Sequence, residues 1–303
     1  MILDYFDLHC DTLSKIADNK TLDDKSLAVN TGALSGYASS VVQFAVWISG
    51  KEADPFGRYE EVISKGKHEL AEKNINICLT SDDINIASKR NGISALLALE
   101  GGYAIESAES IDRLYSDGIR TVALTWNGDN KLAGGAHGDG RLTPLGREVI
   151  ERMNVLGMVT DVSHLNKQSF FDVAEYAEKI AATHTGLLFS VENKRNLSDD
   201  QLKVIKQKDG IVGLCVYPPF IGSDVCDGFL RAASHMISKD MSENIAFGSD
   251  FDGAVMQNGM DNAACIESLA AMCEQSFGKS ISNDIFYNNS LHFYNDALTK
   301  FLR

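Results

Sequence analysis

Short apolar runs recur along the whole chain, and each of them ends in glycine or in polar residues. Runs that are hydrophobic almost without interruption are typical of strands in a parallel sheet that is buried on both faces. The pattern predicts eight strands, which lie within residues 2–11, 39–49, 93–102, 119–130, 157–166, 179–186, 210–220 and 244–253.

Helical patterns occupy the segments between these runs. From Thr143 to Gly157, apolar residues recur every three or four positions, and Thr143 is a typical N-cap. Pro144 then takes the first helical position, and Gly157 ends the helix. Ser198 and Gln201 have the spacing of a capping box at the start of another helix. Predicted strands and predicted helices therefore alternate along the chain.

The long connection over residues 51–90 predicts a helix, a short additional strand within 75–80, and another helix. Eight strands alternating with helices are typical of an α/β protein with a TIM-like (β/α)8 barrel, which we expect to form a single domain over residues 1–303. An open doubly wound sheet is the alternative, but it usually carries a glycine-rich phosphate turn after its first strand. Here the first run ends in His9, Cys10 and Asp11 instead.

The amino-acid composition and net charge limit the kinds of molecule that we expect this protein to bind. The 303 residues are 44% hydrophobic and 23% charged, which is ordinary for a globular protein with a large core. The net charge is −14 without a cluster of Lys or Arg, so we expect no nucleic-acid partner. No apolar run reaches the roughly 18 residues of a membrane helix, so we expect no membrane partner. The six cysteines form no C-x-x-C pair and no signal-peptide pattern is present, so we expect a reducing cytoplasm.

The predicted strand ends carry the candidate chemistry, because the active site of a TIM barrel lies at the carboxyl ends of its strands. Taken alone, each polar strand end has an ordinary structural explanation. Together, three histidines and several acids would point at one small region, where unneutralised carboxylates are costly. These residues are His9, Asp11, Glu100, Trp126, Asn127, Asp129, Asp161, His164, His184, Asp250 and Asp252.

Imidazole and carboxylate groups are the ligands that zinc and similar divalent metals prefer. A catalytic zinc site uses three protein ligands, and the candidates exceed that number. They suit two divalent ions about 3.5–4 Å apart with one carboxylate between them. Glu100 is the natural bridging ligand, and Asp250 remains available to accept a proton from water.

Six stretches, "DLHCDT", "ALEGG", "TDVSH", "THTG", "KRNLSDDQL" and "GSDFDG", occur in this order between residues 7 and 253. In this combination the sequence resembles the membrane (renal) dipeptidase family, the M19 metallopeptidases of the amidohydrolase superfamily. The resemblance implies a TIM-like barrel with two zinc ions. It assigns His9, Asp11 and Glu100 to one ion, and Glu100, His164 and His184 to the other. It also implies that Asp250 lies beside the bridging water and that Arg195 holds the substrate carboxylate.

The resemblance further implies hydrolysis of dipeptides with a free C-terminal carboxylate, often with a D-residue at that end, and a homodimer. Trp126 departs from the family pattern, in which some members have a substrate-contacting histidine. An indole N–H can donate a hydrogen bond but cannot take up and release a proton as a histidine does, so we expect the substrate range to differ. For Arg195 the alternative is a surface arginine paired with Asp199 or Asp200.

Further candidates and rival functions stay open from the sequence. His137 and Tyr217 are candidates for the pocket rim, and Asp161 and Asp252 are candidates for orienting a ligand. The same metal site would also suit another amidohydrolase reaction, on a lactone, a cyclic amide or an N-acyl amino acid. A metal-binding barrel without catalysis is the rival from another class, although a pure binding site needs no proton acceptor such as Asp250.

Overall fold

The computed structural model describes residues 3–257 and 259–301, and within these ranges it contains a sheet of nine parallel strands. The strands are β1 (Tyr5–Cys10), β2 (Ser39–Trp47), β3 (Asn76–Ile77), β4 (Gly92–Glu100), β5 (Ile119–Ala123), β6 (Val159–Asp161), β7 (Ile180–Thr185), β8 (Ile211–Leu214) and β9 (Ile245–Phe247). The eight strands predicted from the hydrophobic runs are all confirmed.

The strands form a nearly closed barrel in the order β1-β2-β4-β5-β6-β7-β8-β9. The last seam closes just beyond β9, where Cys10 pairs with Phe251. Asp11 N–H donates to the Phe251 carbonyl at 2.8 Å, and Asp250 N–H donates to the His9 carbonyl at 3.0 Å. The predicted TIM-like barrel is confirmed, and its closing seam lies directly beside two candidate site residues.

The short strand β3 confirms the extra strand predicted in the long second connection. It pairs with β4 at Ser94 and Ala95, whereas β5 pairs with β4 only from Leu97 onward. The two strands therefore share one edge of β4, and β3 occupies the part near the start of the strand.

Helices surround the barrel, and the predicted helix ends are confirmed. Thr143 Oγ1 accepts from Gly146 N–H at 3.0 Å, Gly157 ends that helix with φ 62°, and Ser198 and Gln201 form a capping box. In the described ranges, no helix is both long enough and apolar enough to cross a membrane. The α-helices are α1 (Thr12–Ala17), α2 (Thr31–Leu34), α3 (Pro55–Glu72), α4 (Ser81–Ala87), α5 (Ser110–Asp117), α6 (Pro144–Leu156), α7 (Lys167–Tyr176), α8 (Asp199–Gln207), α9 (Pro218–Ile221), α10 (Val225–Ile237), α11 (Ile266–Phe277), α12 (Lys279–Asn283) and α13 (Asn289–Ala297). A π-helical turn (Asp284–Asn288) precedes α13, and short 3-10 helices lie at Gly102–Ala104, Ser242–Asn244, Ala263–Cys265 and Leu298–Phe301.

Helix α13 packs against the barrel near the starts of its strands. Tyr294 stacks on Phe6 of β1, with ring centroids 5.8 Å apart, and belongs to one buried cluster with early strand residues such as Val159 and Ile211. A larger apolar cluster lies between the strands and the outer helices. The amino-terminal end of the barrel is therefore filled, which leaves the carboxyl-terminal end for a site.

Candidate active site

The five predicted metal ligands are buried together at the carboxyl-terminal end of the barrel. His9 lies in β1, Glu100 ends β4, and His184 lies in β7. His164 follows β6, and Asp11 lies between β1 and α1. None of the five is more than 5% exposed. The structure thus brings together residues that are up to 175 positions apart in the chain (184 − 9).

Both strands that carry a histidine ligand are irregular at that histidine. Between Asp7 and Cys10, three steps of β1 span two steps of β2. Between Ala182 and Thr185, three steps of β7 likewise span two steps of β8. One extra residue in a strand re-aims the side chains beside it, and such bulges are common next to active sites.

Glu100 lies between two groups of ligands. Its Oε2 atom is 3.3 Å from His9 Nε2, whereas its Oε1 atom is 2.6 Å from His164 Nε2 and 3.8 Å from His184 Nε2. Asp11 Oδ2 approaches His9 Nε2 at 3.5 Å from the other side. The two oxygens of one carboxylate therefore face different groups, His9 with Asp11 and His164 with His184.

Burial controls the protonation of the histidines in the second group. Burial, followed by the charge of Arg195, lowers the pKa of His164 to about 4. Burial, followed by the charges of His9 and Arg195, lowers the pKa of His184 well below its usual value. Both imidazoles are therefore neutral near pH 7, as ligation of a metal requires.

The first group is dominated by its carboxylates. Burial alone would lower the pKa of His9, but the charges of Glu100 and Asp11 outweigh it and raise that pKa. Burial, followed by repulsion from Glu100, raises the pKa of Asp11 to about 6. Burial would raise the pKa of Glu100, but His9 and His164 outweigh it and lower that pKa. The protonation of these three groups is therefore interdependent, because burial weakens the screening of their charges.

The site leaves polar atoms unsatisfied in a way that a cation would relieve. His9 Nε2 and Asp11 Oδ1 are buried and have no hydrogen-bond partner in the described part of the chain. The 2.9 Å between His164 Nε2 and His184 Nε2 brings two electron-rich atoms together beside Glu100. Buried polar atoms without partners are costly, so this donor set fits divalent metal ions.

Asp161 orients its neighbours. Its Oδ1 atom accepts from Ser163 N–H at 2.9 Å, Ser163 Oγ–H at 2.6 Å and Thr183 N–H at 3.2 Å, and its Oδ2 atom accepts from Thr183 Oγ–H at 2.6 Å. Although Asp161 lies close enough to His9 and His184 to complete a third group, both of its oxygens are already occupied.

Asp250 and Asp252, predicted at the end of the last strand, differ in their contacts. Asp250 has a left-handed backbone with φ 61°, which is strained for a residue other than glycine. A Cβ atom at Gly253 would lie 2.0 Å from Asp11 Oδ2 and 2.8 Å from Asp250 Oδ1, so both carboxylates lie against this glycine. Burial, followed by repulsion from Asp11, raises the pKa of Asp250 well above its usual range. Asp252 instead accepts from Thr12 Oγ–H at 2.6 Å and anchors a loop.

Arg195 is 5% exposed and reaches the ligands of the second group. Its Nη2 atom lies 3.0 Å from His164 Nε2 and donates to the His184 carbonyl at 3.3 Å, and its guanidinium carbon lies 5.2 Å from the centre of the Phe220 ring. Nη1 is buried without a partner among the described residues. Asp199 pairs with His235 and Lys239 instead, so Arg195 is not a surface arginine held by that acid.

A cleft of about 560 Å³ opens above these groups. Trp126 lines it and packs edge-on against Trp47, with ring centroids 5.2 Å apart. His137 and Tyr217, predicted at the rim, also line this cleft. The sequence had shown no reason to place Trp47 there, since β2 ends in no acid or histidine.

Other cleft residues were also missed from the sequence. Lys15, Arg58 and Phe220 lie in helices and carry no recognisable motif. Asn127 was noted as a strand end, but its Oδ1 atom lies 3.1 Å from His164 Nδ1 and orients that ring. Asp129, in contrast, accepts from backbone N–H groups of the glycine-rich loop, including Gly140 at 2.9 Å, and is structural.

Two fungal proteins that are named as dipeptidases are similar to part of this chain. A protein of Schizosaccharomyces pombe named as an uncharacterised dipeptidase is 33% identical over 187 residues, which are 57% of this chain and 45% of that protein. A dipeptidase of Aspergillus oryzae, aclJ, is 26% identical over 209 residues, which are 63% of this chain and 48% of that protein. This chain thus matches about half the length of each fungal relative.

A solved structure shares the fold over its whole length. The metallo peptidase of Rhodobacter sphaeroides, described in complex with a phosphinate mimic of the dipeptide L-Ala-D-Ala, superposes with a TM-score of 0.88 at 21% identity. The alignment covers 98% of this chain and 100% of that one. At this identity the likeness concerns the fold alone.

The family model reaches across the whole barrel and includes every candidate ligand. It covers residues 3–297. The chain therefore belongs to the membrane dipeptidase family, peptidase family M19, a family of metallo-dipeptidases.

Proposed function

We propose that this protein is a dipeptidase that binds two divalent metal ions, most naturally zinc. The observation that carries the proposal is the position of Glu100, whose two oxygens face two separate groups of ligands. His9, Asp11 and Glu100 would hold one ion, and Glu100, His164 and His184 would hold the other. Two dications would also neutralise carboxylates that lie buried beside Arg195.

Bound divalent ions at such a site supply Lewis acidity and make water acidic enough to lose a proton near neutral pH. The protein's own part is proton transfer and orientation. Asp250 accepts the proton of the attacking water and delivers it to the leaving amine. Burial and repulsion from Asp11 raise the pKa of Asp250 above its ordinary value, which favours its acceptance of a proton.

The substrate we propose is a dipeptide with a free C-terminal carboxylate. The buried Nη1 atom of Arg195 has no partner among the described residues, and a planar guanidinium suits a carboxylate. The cleft has the size for a small ligand. The Rhodobacter relative binds a mimic of L-Ala-D-Ala, so a D-residue at the C-terminal end is part of the proposal.

Trp126 lies where the resemblance implies a substrate-contacting histidine in some family members, and we propose that it confines the substrate without exchanging protons. Its ring packs against Trp47 and lies 6.4 Å from the His164 ring, measured between centroids. Its indole N–H donates only. Substrate polarisation in this protein then depends on the metals and on Arg195.

The test is a hydrolysis screen with zinc-loaded protein whose metal content is measured on the same sample. L,L- and L,D-dipeptides are compared with lactones, cyclic amides and N-acyl amino acids. Turnover confined to dipeptides, with two ions per chain, is the expected result. Full activity with one ion contradicts the two-metal site, turnover on another class favours the rival amidohydrolase reaction, and metal without turnover favours a binding barrel. The cytoplasmic location and the homodimer remain predictions.

A further inference from the structure

One hydroxyl group contacts a histidine ligand from each of the two metal groups. Thr183 Oγ1 lies 3.0 Å from His184 Nδ1 and 3.4 Å from His9 Nδ1. Both rings turn their other nitrogen, Nε2, toward Glu100. Whether Nδ1 carries the ring proton therefore decides whether Nε2 has a free lone pair for a metal.

The single proton of this hydroxyl is already committed. Thr183 Oγ–H donates to Asp161 Oδ2 at 2.6 Å, and Asp161 is an acceptor for every hydrogen bond it makes among the described residues. The nearby Ser163 hydroxyl donates to Asp161 as well, at 2.6 Å, so it has no proton left for Thr183 Oγ1 at 3.3 Å. A hydroxyl has one proton and two lone pairs. Thr183 can only accept from the two imidazoles.

We propose that Thr183 is a positioning residue that holds His9 and His184 in the same tautomer, with the proton on Nδ1 and the lone pair on Nε2. One side chain would thereby prepare a ligand of each metal ion. The inference rests on the two-metal site proposed above, and it adds that the two halves of that site share an outer support.

The backbone is shaped to bring Thr183 to this position. Neighbouring residues in a regular strand point to opposite faces, so Thr183 and His184 would not normally face one site. The extra residue in β7 between Ala182 and Thr185 removes that restriction. A Cβ atom at Gly213 or Gly248 would lie only 2.0 or 1.8 Å from the Thr183 carbonyl oxygen, so these two glycines make room for the irregular turn of the strand.

Asp161→Asn reverses the direction of the hydrogen bond between residue 161 and the Thr183 hydroxyl and keeps the size and shape of the side chain. Three donors, from Ser163 and from the Thr183 N–H, surround Oδ1, so the amide oxygen of the asparagine must take that place. Its NH₂ group then faces Thr183 Oγ1 and donates to it. The freed Thr183 proton would donate to a histidine Nδ1, which moves the ring proton to Nε2, the nitrogen that faces the metals.

The experiment measures zinc affinity by competition with a chelator in Thr183→Val, Thr183→Ser and Asp161→Asn. We expect Thr183→Val to weaken zinc binding by about 10- to 100-fold at both positions. Asp161→Asn should weaken it by a similar factor at the position whose histidine receives the Thr183 proton, and Thr183→Ser should keep it. Thr160→Val is the matched control, since Thr160 Oγ1 is buried with no hydrogen-bond partner in the described ranges. Histidine ¹⁵N spectra of the metal-free proteins report the tautomer of His184 near neutral pH, and that of His9 at a pH above its raised pKa.

The outcomes separate this inference from the proposed function. If Thr183→Val binds zinc as the wild type does and its histidine tautomers are unchanged, the inference is wrong, whatever the enzyme hydrolyses. If Asp161→Asn loses zinc but Thr183→Val does not, Asp161 is itself a ligand and the inference is also wrong. If Thr183→Val does not fold, Thr183→Ser and Asp161→Asn still decide it by their spectra. A wild type with one zinc contradicts the proposed function, whereas the spectra still test the tautomers.

Discussion

The barrel encloses two buried polar clusters that follow opposite rules. In the Gln43 cluster, formed by Gln43, Thr121 and Tyr294, the Gln43 Oε1 atom accepts from Thr121 Oγ–H at 3.0 Å and from the Tyr294 hydroxyl, and Nε2 donates to the Leu8 carbonyl at 2.6 Å. The metal cluster, our name for the candidate ligands His9, Asp11, Glu100, His164 and His184, instead keeps buried atoms that have no hydrogen-bond partner among the described residues, such as Asp11 Oδ1.

The difference between the two clusters helps to distinguish a ligand-binding site from a structural hydrogen-bond network. A closed hydrogen-bond network in a low-dielectric interior stabilises the fold, whereas an open one costs free energy unless something else completes it. The Gln43 cluster lies where Tyr294 of α13 enters the barrel, and its members complete each other. The metal cluster lies under an open cleft, where a ligand can enter. Candidate metal-binding atoms without partners beneath an open cleft therefore indicate binding, whereas an isolated buried hydroxyl such as Thr160 Oγ1 does not.

Removal of the Glu100 carboxylate should have the largest effect on the metal cluster. We expect Glu100→Ala to release both metal ions and to reduce hydrolysis to the background reaction, because both ligand groups lose their shared carboxylate. Metal analysis of the purified variant checks the result. Glu69→Ala is the control, since Glu69 is also a poorly exposed carboxylate but accepts from Leu22 N–H far from the site. Retention of two ions in Glu100→Ala would contradict the bridging role.

Asp250→Asn separates proton transfer from metal binding. The variant should retain two ions per chain yet lose about 10²- to 10⁴-fold in kcat, the usual contribution of a general acid–base. Steady-state kinetics and metal analysis on the same preparation provide the check. If Asp250→Asn loses as much metal as Glu100→Ala does, Asp250 is a ligand and the two roles are misassigned.

Arg195→Ala measures the part of the site that faces the substrate. A charge-assisted pair contributes about 1.5–3 kcal/mol, so kcat/KM on a dipeptide should fall about 10- to 150-fold. The C-terminally amidated analogue should be a poor substrate of the wild type and should lose little in the variant.

Arg141→Ala, which removes an exposed arginine paired with Asp172, is the matched control and should leave both substrates unaffected. A wild type that cleaves the amide as well as the acid would overturn the carboxylate role of Arg195 and favour another amidohydrolase reaction.

Tyr294→Phe tests the Gln43 cluster and has the smallest expected effect. Loss of its hydroxyl should lower the free energy of unfolding by about 1 kcal/mol and leave metal content and kcat unchanged. Urea denaturation of the zinc-loaded protein measures it. Tyr103→Phe is the control, because the half-buried Tyr103 hydroxyl makes no hydrogen bond within the described residues. A change in zinc affinity for Tyr294→Phe would show that the two clusters are coupled.

Local sequence determined the elements and their ends. Continuous apolar runs are typical of strands that are buried on both faces, so they predicted the strands. Thr143 and Gly157 predicted the ends of a helix, because a helix cap is a contact between residues close in sequence. The strand-end rule then placed His9, Glu100 and His184 at one end of the barrel. These conclusions needed only the chain direction and the alternation of strands and helices.

Contacts between distant segments were beyond such reasoning. Trp47 lines the cleft and packs on Trp126, and Lys15 and Arg58 line it from helices α1 and α3. The orientation of Arg195 was equally undecided, because the sequence allowed a surface pair with Asp199 as well as a buried position. No short-range pattern specifies which side chains meet across a cleft.

The sequence by itself determined the barrel and the family, and it supplied the candidate ligands, since all three depend on residue type and on order along the chain. Only the tertiary structure decided that the two oxygens of Glu100 face different groups, and that Thr183 lies between His9 and His184. The physical reason is that one extra residue in a strand changes the direction of its side chains. Such an irregularity depends on the neighbouring strand, here on the space that Gly213 leaves, and not on the residues of β7 alone.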